Sequence, residues 1–228
     1  MSKKFGNDKT ASYWIIAALL LVIGLITLYP IVYVFSMAFS DPAAAYRGEV
    51  LLLPKGFSLQ AFSMVLSNPE MGQSYLNTIF YTICGTLINI IMTITGAFVL
   101  TQKTFCLRKI LFILIMITMF FSGGMIPNYI LINNLGLYNT RWVMLLPTAI
   151  NTFNLMIAIN YFRTVPGEIY EAAKIDGAND IQTLFKIAIH LVKPMIATLV
   201  IFYAVEHWNS YFNAMMYLSD QKLQPMQI

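Results

Sequence analysis

The stretch EAAKIDGANDIQTLFKIAIHLVKP (Glu171–Pro194) is charged, alanine-rich and broken by a glycine, and it lies between two long apolar runs. The rest of the chain has a different character. Its 228 residues are 58% hydrophobic and only 11% charged, with a mean hydropathy of +0.69. A soluble domain carries about a quarter charged residues. Here the apolar residues gather in blocks longer than the roughly 18–20 residues a bilayer-spanning helix needs. The chain reads as all-α, a polytopic transmembrane helical bundle, and Glu171–Pro194 as a polar loop between two of its spans.

Working outward from that loop, five spans are expected: Tyr13–Phe39, Asn77–Thr101, Ile110–Ile132, Trp142–Tyr161 and Met195–Leu218. Residues 1–12 form a basic tail, 13–39 an N-terminal anchor helix and 40–73 an external segment. The first block exceeds a signal peptide's apolar region, and no small-residue cleavage site closes it, so it reads as a retained helix. Lys and Arg in the loops set the orientation. Ten of the fourteen fall in the tail, the 102–109 turn and the 163–193 loop; Arg47, Lys55, Arg141 and Lys222 fall on the other side. The N-terminus and the loop are therefore expected in the cytoplasm. The net charge of +4 reflects this asymmetry and gives no reason to expect a nucleic-acid partner. Cys84 lies in a span and Cys106 in a loop, so no disulfide is expected between them.

Within the loop, the residues spell two short helices with a break. Pro166 suits a first helical turn, and Glu168 and Glu171 sit where a helix dipole favours acids. Gly177 can take the left-handed conformation that ends a helix. Asn179 can cap the next one, with Gln182 as its capping-box partner. Ile181, Leu184, Phe185 and Ala188 recur at helical spacing and predict one apolar face. Ala172 and Ala173 leave room for a partner's surface to approach the backbone. The segment reads as a helical elbow shaped for docking.

At Glu171, Ala172, Ala173, Asp176, Gly177, Ala178, Lys193 and Pro194 the chain resembles the EAA loop of ABC-importer permeases. It departs from that pattern at Ile189 and His190, where the family often has Leu-Pro. The resemblance runs from about Ser74 to the end, plus the anchor helix. LNTIFYTICGTLINIIMTITGAFVLT (Leu76–Thr101) is similar to the start of the binding-protein-dependent transport domain. HWNSYFNAMMYL (His207–Leu218) is similar to the fifth core helix of carbohydrate permeases. FSGGMIPNYILINNLGLYNT (Phe121–Thr140) resembles a subgroup for plant-polysaccharide oligosaccharides, uronate-containing ones among them. The resemblance implies a type I importer permease in a bacterial or archaeal cell membrane. Its partners would be membrane lipid, a second permease, ABC ATPase subunits and an extracytoplasmic solute-binding protein. It needs no cofactor of its own, since the partner ATPase uses the ATP. Such permeases have six helices, so the sixth is expected to be missing from this chain, as in a truncated gene or a fragment.

Polar groups inside a span are costly and ask for a reason. Tyr203, Glu206, His207, Trp208, Asn209 and Asn213 share the fifth block, and Asn151 and Asn154 the fourth. Glu206 and Asn209 fall on one helical face at i, i+3. These side chains either contact a sugar in the cargo path or act as interhelical contacts. Gly123, Gly124 and Pro127 are expected to interrupt the third block, as a cavity-lining break or a simple kink. A membrane enzyme fits poorly, because no metalloprotease, nucleophile-elbow or phosphate-loop motif occurs. A permease for an amino acid, metal or phosphate would keep the mechanism and change only the cargo.

Overall fold

The computed structural model describes residues 5–228, with side chains from Ser12 onward. Lys3 and Lys4 of the basic tail lie outside the described residues. Among the described residues all regular structure is helical. The chain divides into two compact units, Met1–Pro69 and Glu70–Ile228.

The first unit is built on α1 (Phe5–Ala38), which begins eight residues before the apolar block. Apolar length fixes how much of a helix enters lipid, whereas helix propensity carries the turns on into the polar tail. No part of its most apolar window is buried within the chain. The segment that follows folds back on the end of α1. The Ser36 hydroxyl donates to the Leu52 carbonyl at 2.7 Å, and the Lys55 amide donates to Ser40 Oγ at 3.1 Å. The Phe39 ring stacks on Phe57 and meets Phe62 at a tilt. Two short helices follow in this segment, α2 (Pro42–Tyr46) and α3 (Gln60–Ser67).

The second unit is organised around α4 (Pro69–Thr101), whose buried stripe recurs every three or four residues. That stripe is polar or small over Asn77, Thr78, Tyr81, Gly85, Asn89 and Thr93, then apolar over Ile94, Ala97, Phe98 and Leu100. Among the described residues, only α1 and α4 supply single helices long and apolar enough to cross a membrane; counting each bent pair as one span brings the number to four.

The other three apolar blocks are interrupted, each for a local reason. The third is α5 (Arg108–Phe120) and α6 (Met125–Asn134), bent by 120°. Gly124 caps α6 at φ 85°, ψ 172°, a region open essentially to glycine alone. The fourth opens with a 3₁₀ turn (Arg141–Met144), passes Pro147 in a non-helical stretch and ends in α7 (Thr152–Phe162). That helix has 11 residues, about half the length that spans ~30 Å of hydrocarbon.

The polar loop forms α8 (Gly167–Ile175), α9 (Asp180–Gln182), a π turn (Thr183–Ala188) and α10 (Ile189–Leu191). The chain then bends by 86° into α11 (Lys193–Trp208), with Pro194 in its first turn. The fifth block is α11 followed by α12 (Tyr211–Tyr217). Between them the Asn209 amide donates to the Val205 carbonyl at 2.8 Å and the Ser210 hydroxyl to the His207 carbonyl at 2.7 Å. Side chains that take helix carbonyls in this way compete with the backbone ladder, and the helix stops. Around α4, α7, the π turn and α11 one apolar core forms, with Phe98, Leu155, Phe162, Leu184, Leu199 and Tyr203 among its members.

Candidate functional site

The elbow is fixed by backbone chemistry at its break. Gly177 has φ 80°, the Ala178 amide donates to the Ala173 carbonyl at 2.9 Å, and the Gly177 amide donates to the Lys174 carbonyl at 3.1 Å. These two bonds form a Schellman motif. Two residues on, Asn179 and Gln182 exchange side-chain and backbone hydrogen bonds at 3.1 and 2.8 Å, a complete capping box. The turn is thus rigid on both sides of one glycine.

The apolar face of the second half divides. Leu184 and Ala188 are buried in the core, while Ile181 and Phe185 are 70% and 56% exposed and join Ile175, 85% exposed, on the outside. The two alanines also part: Ala173 packs inward, and only Ala172 is open. Asp176, as C-cap of α8, and Gly177 are exposed at the turn, and Ala178 is half-buried. Glu171 does not share the open face of Ala172 and Ile175. It lines a cavity with Tyr170 and Lys174, against Thr101–Thr104 and Arg163. The Tyr170 hydroxyl is buried there without a hydrogen-bond partner, and burial pushes its phenol pKa up.

The second group of polar residues converges in the bundle. Tyr203 is buried and its hydroxyl pairs with Thr93 Oγ1 of α4 at 2.7 Å, with the Asn154 amide beside it. Asn151 caps α7, accepting from the Asn154 amide N–H at 3.2 Å, and its side chain lies beside the Glu206 carboxyl. The i, i+3 spacing of the two asparagines is therefore a helix start, with Asn151 also facing α11. His207 points the other way, into a notch of α4. Its Nε2 lies 2.7 Å from Asn89 Oδ1, and the Asn89 amide nitrogen donates to the Thr148 carbonyl. A carbonyl can only accept, so Asn89 turns its oxygen to the imidazole and His207 Nε2 carries the proton. The notch is Gly85, one turn before Asn89: a Cβ there would lie 2.4 Å from the ring.

The path candidates thus separate by direction. Tyr203, His207 and Asn154 hold α4, α7 and α11 together. Glu206 and Asn209 are exposed and, with Thr148 and Asn213, line an open cavity of about 180 Å³ at the α11–α12 break. Trp208 is partly exposed and meets Tyr75 edge to face at 6.1 Å. Sequence reasoning missed Gly85, Asn89, Thr93 and Thr148. Asn89 was findable as an amide inside an apolar run; Gly85 was not, because its role is to be empty opposite His207.

An all-helical membrane bundle with broken spans, a polar seam at their breaks and a rigid elbow defines a permease. The chain belongs to the family of binding-protein-dependent transport system inner membrane components, whose model matches residues 62–227. It is 40% identical over 206 residues to Protein LplC of Bacillus subtilis, covering 90% of this chain and 70% of that protein. The polygalacturonan/rhamnogalacturonan transport system permease protein YtcP of the same organism is 38% identical, over 94% of this chain and 75% of that one. A crystal structure of a bacterial ABC transporter involved in the import of the acidic polysaccharide alginate superposes with a TM-score of 0.91 at 38% identity. That match covers 97% of this chain and 79% of the other. The protein is a multi-pass membrane permease of an ABC importer, not an enzyme, and its family works with an ATPase and a solute-binding protein.

Proposed function

We propose that the chain forms half of the translocation path for an acidic oligosaccharide, facing a second permease, and that its N-terminus and elbow lie in the cytoplasm. The observation that carries the cargo is its similarity, at 38% identity in both cases, to YtcP and to the transporter that imports an acidic polysaccharide. The polar seam is suited to the hydroxyls of such a cargo. The Glu206 carboxylate and the Asn209 and Asn213 amides can hydrogen-bond sugar hydroxyls, and Trp208 offers an indole face. The cavity they line is open on one side, as half of a path would be.

For coupling, two ATPase subunits bind ATP, and one of them receives the elbow. Ala172 and the exposed Ile175, Ile181 and Phe185 supply the apolar contact, while Asp176, Gly177 and Ala178 form the turn. Glu171 lies on the cavity side of α8, outside that contact. Because the turn is held by a Schellman motif and a capping box, a push on it is transmitted to α10 and α11 without being absorbed locally. The excess of Lys and Arg in the tail, the 102–109 turn and the 163–193 loop supports the orientation.

The test is uptake into proteoliposomes holding this permease, its partner permease and ATPases, with the receptor outside and ATP inside. Labelled oligogalacturonide should accumulate, and a neutral oligosaccharide such as raffinose should not. Uptake of the neutral sugar alone would reject the cargo assignment and leave the permease reading intact.

A further inference from the structure

Beyond the cargo path, the end of the bundle that carries the elbow holds a basic cleft that transport as described does not use. Two cavities of about 510 and 470 Å³ share Thr101, Lys103 and Arg163. Together they are lined by five cations, Lys103, Arg108, Lys109, Arg163 and Lys174, and one acid, Glu171. Among the described residues Lys103, Arg108, Lys109 and Arg163 make no ion pair, and Lys174 reaches Asp180 only at 3.9 Å. The Arg163 guanidinium lies over the Phe112 ring at 5.6 Å, which orients its plane and leaves its N–H groups free.

The place of the cleft in the fold identifies what it takes. Thr101 ends α4, Arg108 begins α5 and Phe162 ends α7, so the cations stand at the ends of apolar helices. Directly beyond Lys109, α5 presents exposed Ile110, Leu111, Ile113, Leu114 and Ile117. A charged site that continues onto bare apolar helix matches a molecule with an anionic head and an acyl tail. We propose that the cleft between the α4–α5 turn and α8 binds the phosphate headgroup of an anionic phospholipid, whose acyl chains lie along α5.

The ATPase is the competing occupant, and helix geometry argues against it. Gly167, Tyr170, Glu171 and Lys174 form one stripe of α8 facing the cleft, at i, i+3, i+4 and i+7. Glu168, Ala172 and Ile175 lie about 100° round the same helix and are exposed. One face is left for a protein partner, and the other meets the bilayer surface. A headgroup held there touches both α5 and the root of the elbow, so lipid composition would bear on the elbow's position.

The experiment uses the full chain in neutral detergent, with retained lipid counted by native mass spectrometry. Wild type should keep phosphatidylglycerol over phosphatidylcholine. Lys103→Gln should reduce that preference about fivefold, and Lys103→Gln with Arg163→Gln by more, since each cation near a membrane surface contributes about that factor. Arg47→Gln with Lys222→Gln, remote in sequence from the cleft, should leave it unchanged. Should the double variant fail to fold, the single change on the exposed turn carries the comparison. Equal retention of both lipids by wild type, or full preference in Lys103→Gln, would overturn the proposal. Displacement by soluble glycerol phosphate at matched concentration, or by added ATPase, would assign the cleft to that ligand instead.

Discussion

Gly85→Ala adds one methyl group at the point where the bundle is least able to receive it. The new Cβ would lie 2.4 Å from His207 Cε1 and Nε2 and 2.7 Å from Cδ2, where ordinary contact begins at 3.4 Å. The ring must withdraw by about 1 Å. Asn89 stands one turn along the same helix, so withdrawal from Gly85 is also withdrawal from Asn89. The 2.7 Å bond between them stretches past the range in which it counts as one. Overpacking costs about 1–3 kcal/mol, and an interhelical hydrogen bond in a membrane contributes about 0.6–1.7 kcal/mol. A loss of about 2–4 kcal/mol follows, dominated by packing. Reversible unfolding in mixed micelles titrated with sodium dodecyl sulfate measures it. Gly72→Ala, on the same helix with nothing within 4 Å, is the control. His207→Ala removes the ring the new methyl meets, so the losses of His207→Ala and Gly85→Ala should not add in the double variant. A Gly85→Ala protein within about 0.5 kcal/mol of wild type would refute the notch.

Two further outcomes follow from the site. Gly177→Val places a β-branched residue at φ 80°, with about 1–2 kcal/mol of backbone strain; membrane insertion should be normal while ATP hydrolysis continues without uptake, and coupled uptake at wild-type rate would count against the elbow's role. Glu206→Gln removes one charge from the open face of α11 and should weaken apparent cargo affinity about tenfold, the scale of one charge-assisted hydrogen bond, with Glu206→Leu worse; unchanged uptake kinetics in both would move cargo contact to the partner permease.

The elbow was legible because its signals are local. A glycine needing positive φ, followed by Asn179 and Gln182 at capping-box spacing, leaves few alternatives for the backbone. The class of the protein was legible for a similar reason, since apolar blocks of that length suit little besides a bilayer. Continuity of the spans was legible only in the third block, where Gly123 and Gly124 mark the break that lies between Phe120 and Met125. Apolar length reports the thickness of hydrocarbon to be crossed and says nothing of whether one helix crosses it. The blocks at Ile110–Ile132, Trp142–Tyr161 and Met195–Leu218 are each interrupted where Gly124, Pro147 or Asn209 takes the backbone away from the helix. Direction within the site was equally hidden. The side chains of adjacent residues Glu206 and His207 part, one exposed and the other buried against Asn89 of α4, and only the position of α4 decides which is which. Ala172 and Ala173 part for the same reason.

The proposed place of the Gly177 elbow is the cytoplasm, in the grip of an ATPase. Its most direct test is Ile175→Cys, with Cys84 and Cys106 changed to Ser, in membranes holding the assembled importer. The cysteine is on the exposed face beside the turn. A membrane-impermeant maleimide should label it in inside-out vesicles stripped of ATPase, be blocked there once the ATPase is bound and leave it untouched in intact cells, and a short bifunctional cross-linker should join it to the bound ATPase. Labelling from outside intact cells, or free cytoplasmic labelling with no ATPase adduct, would contradict the account.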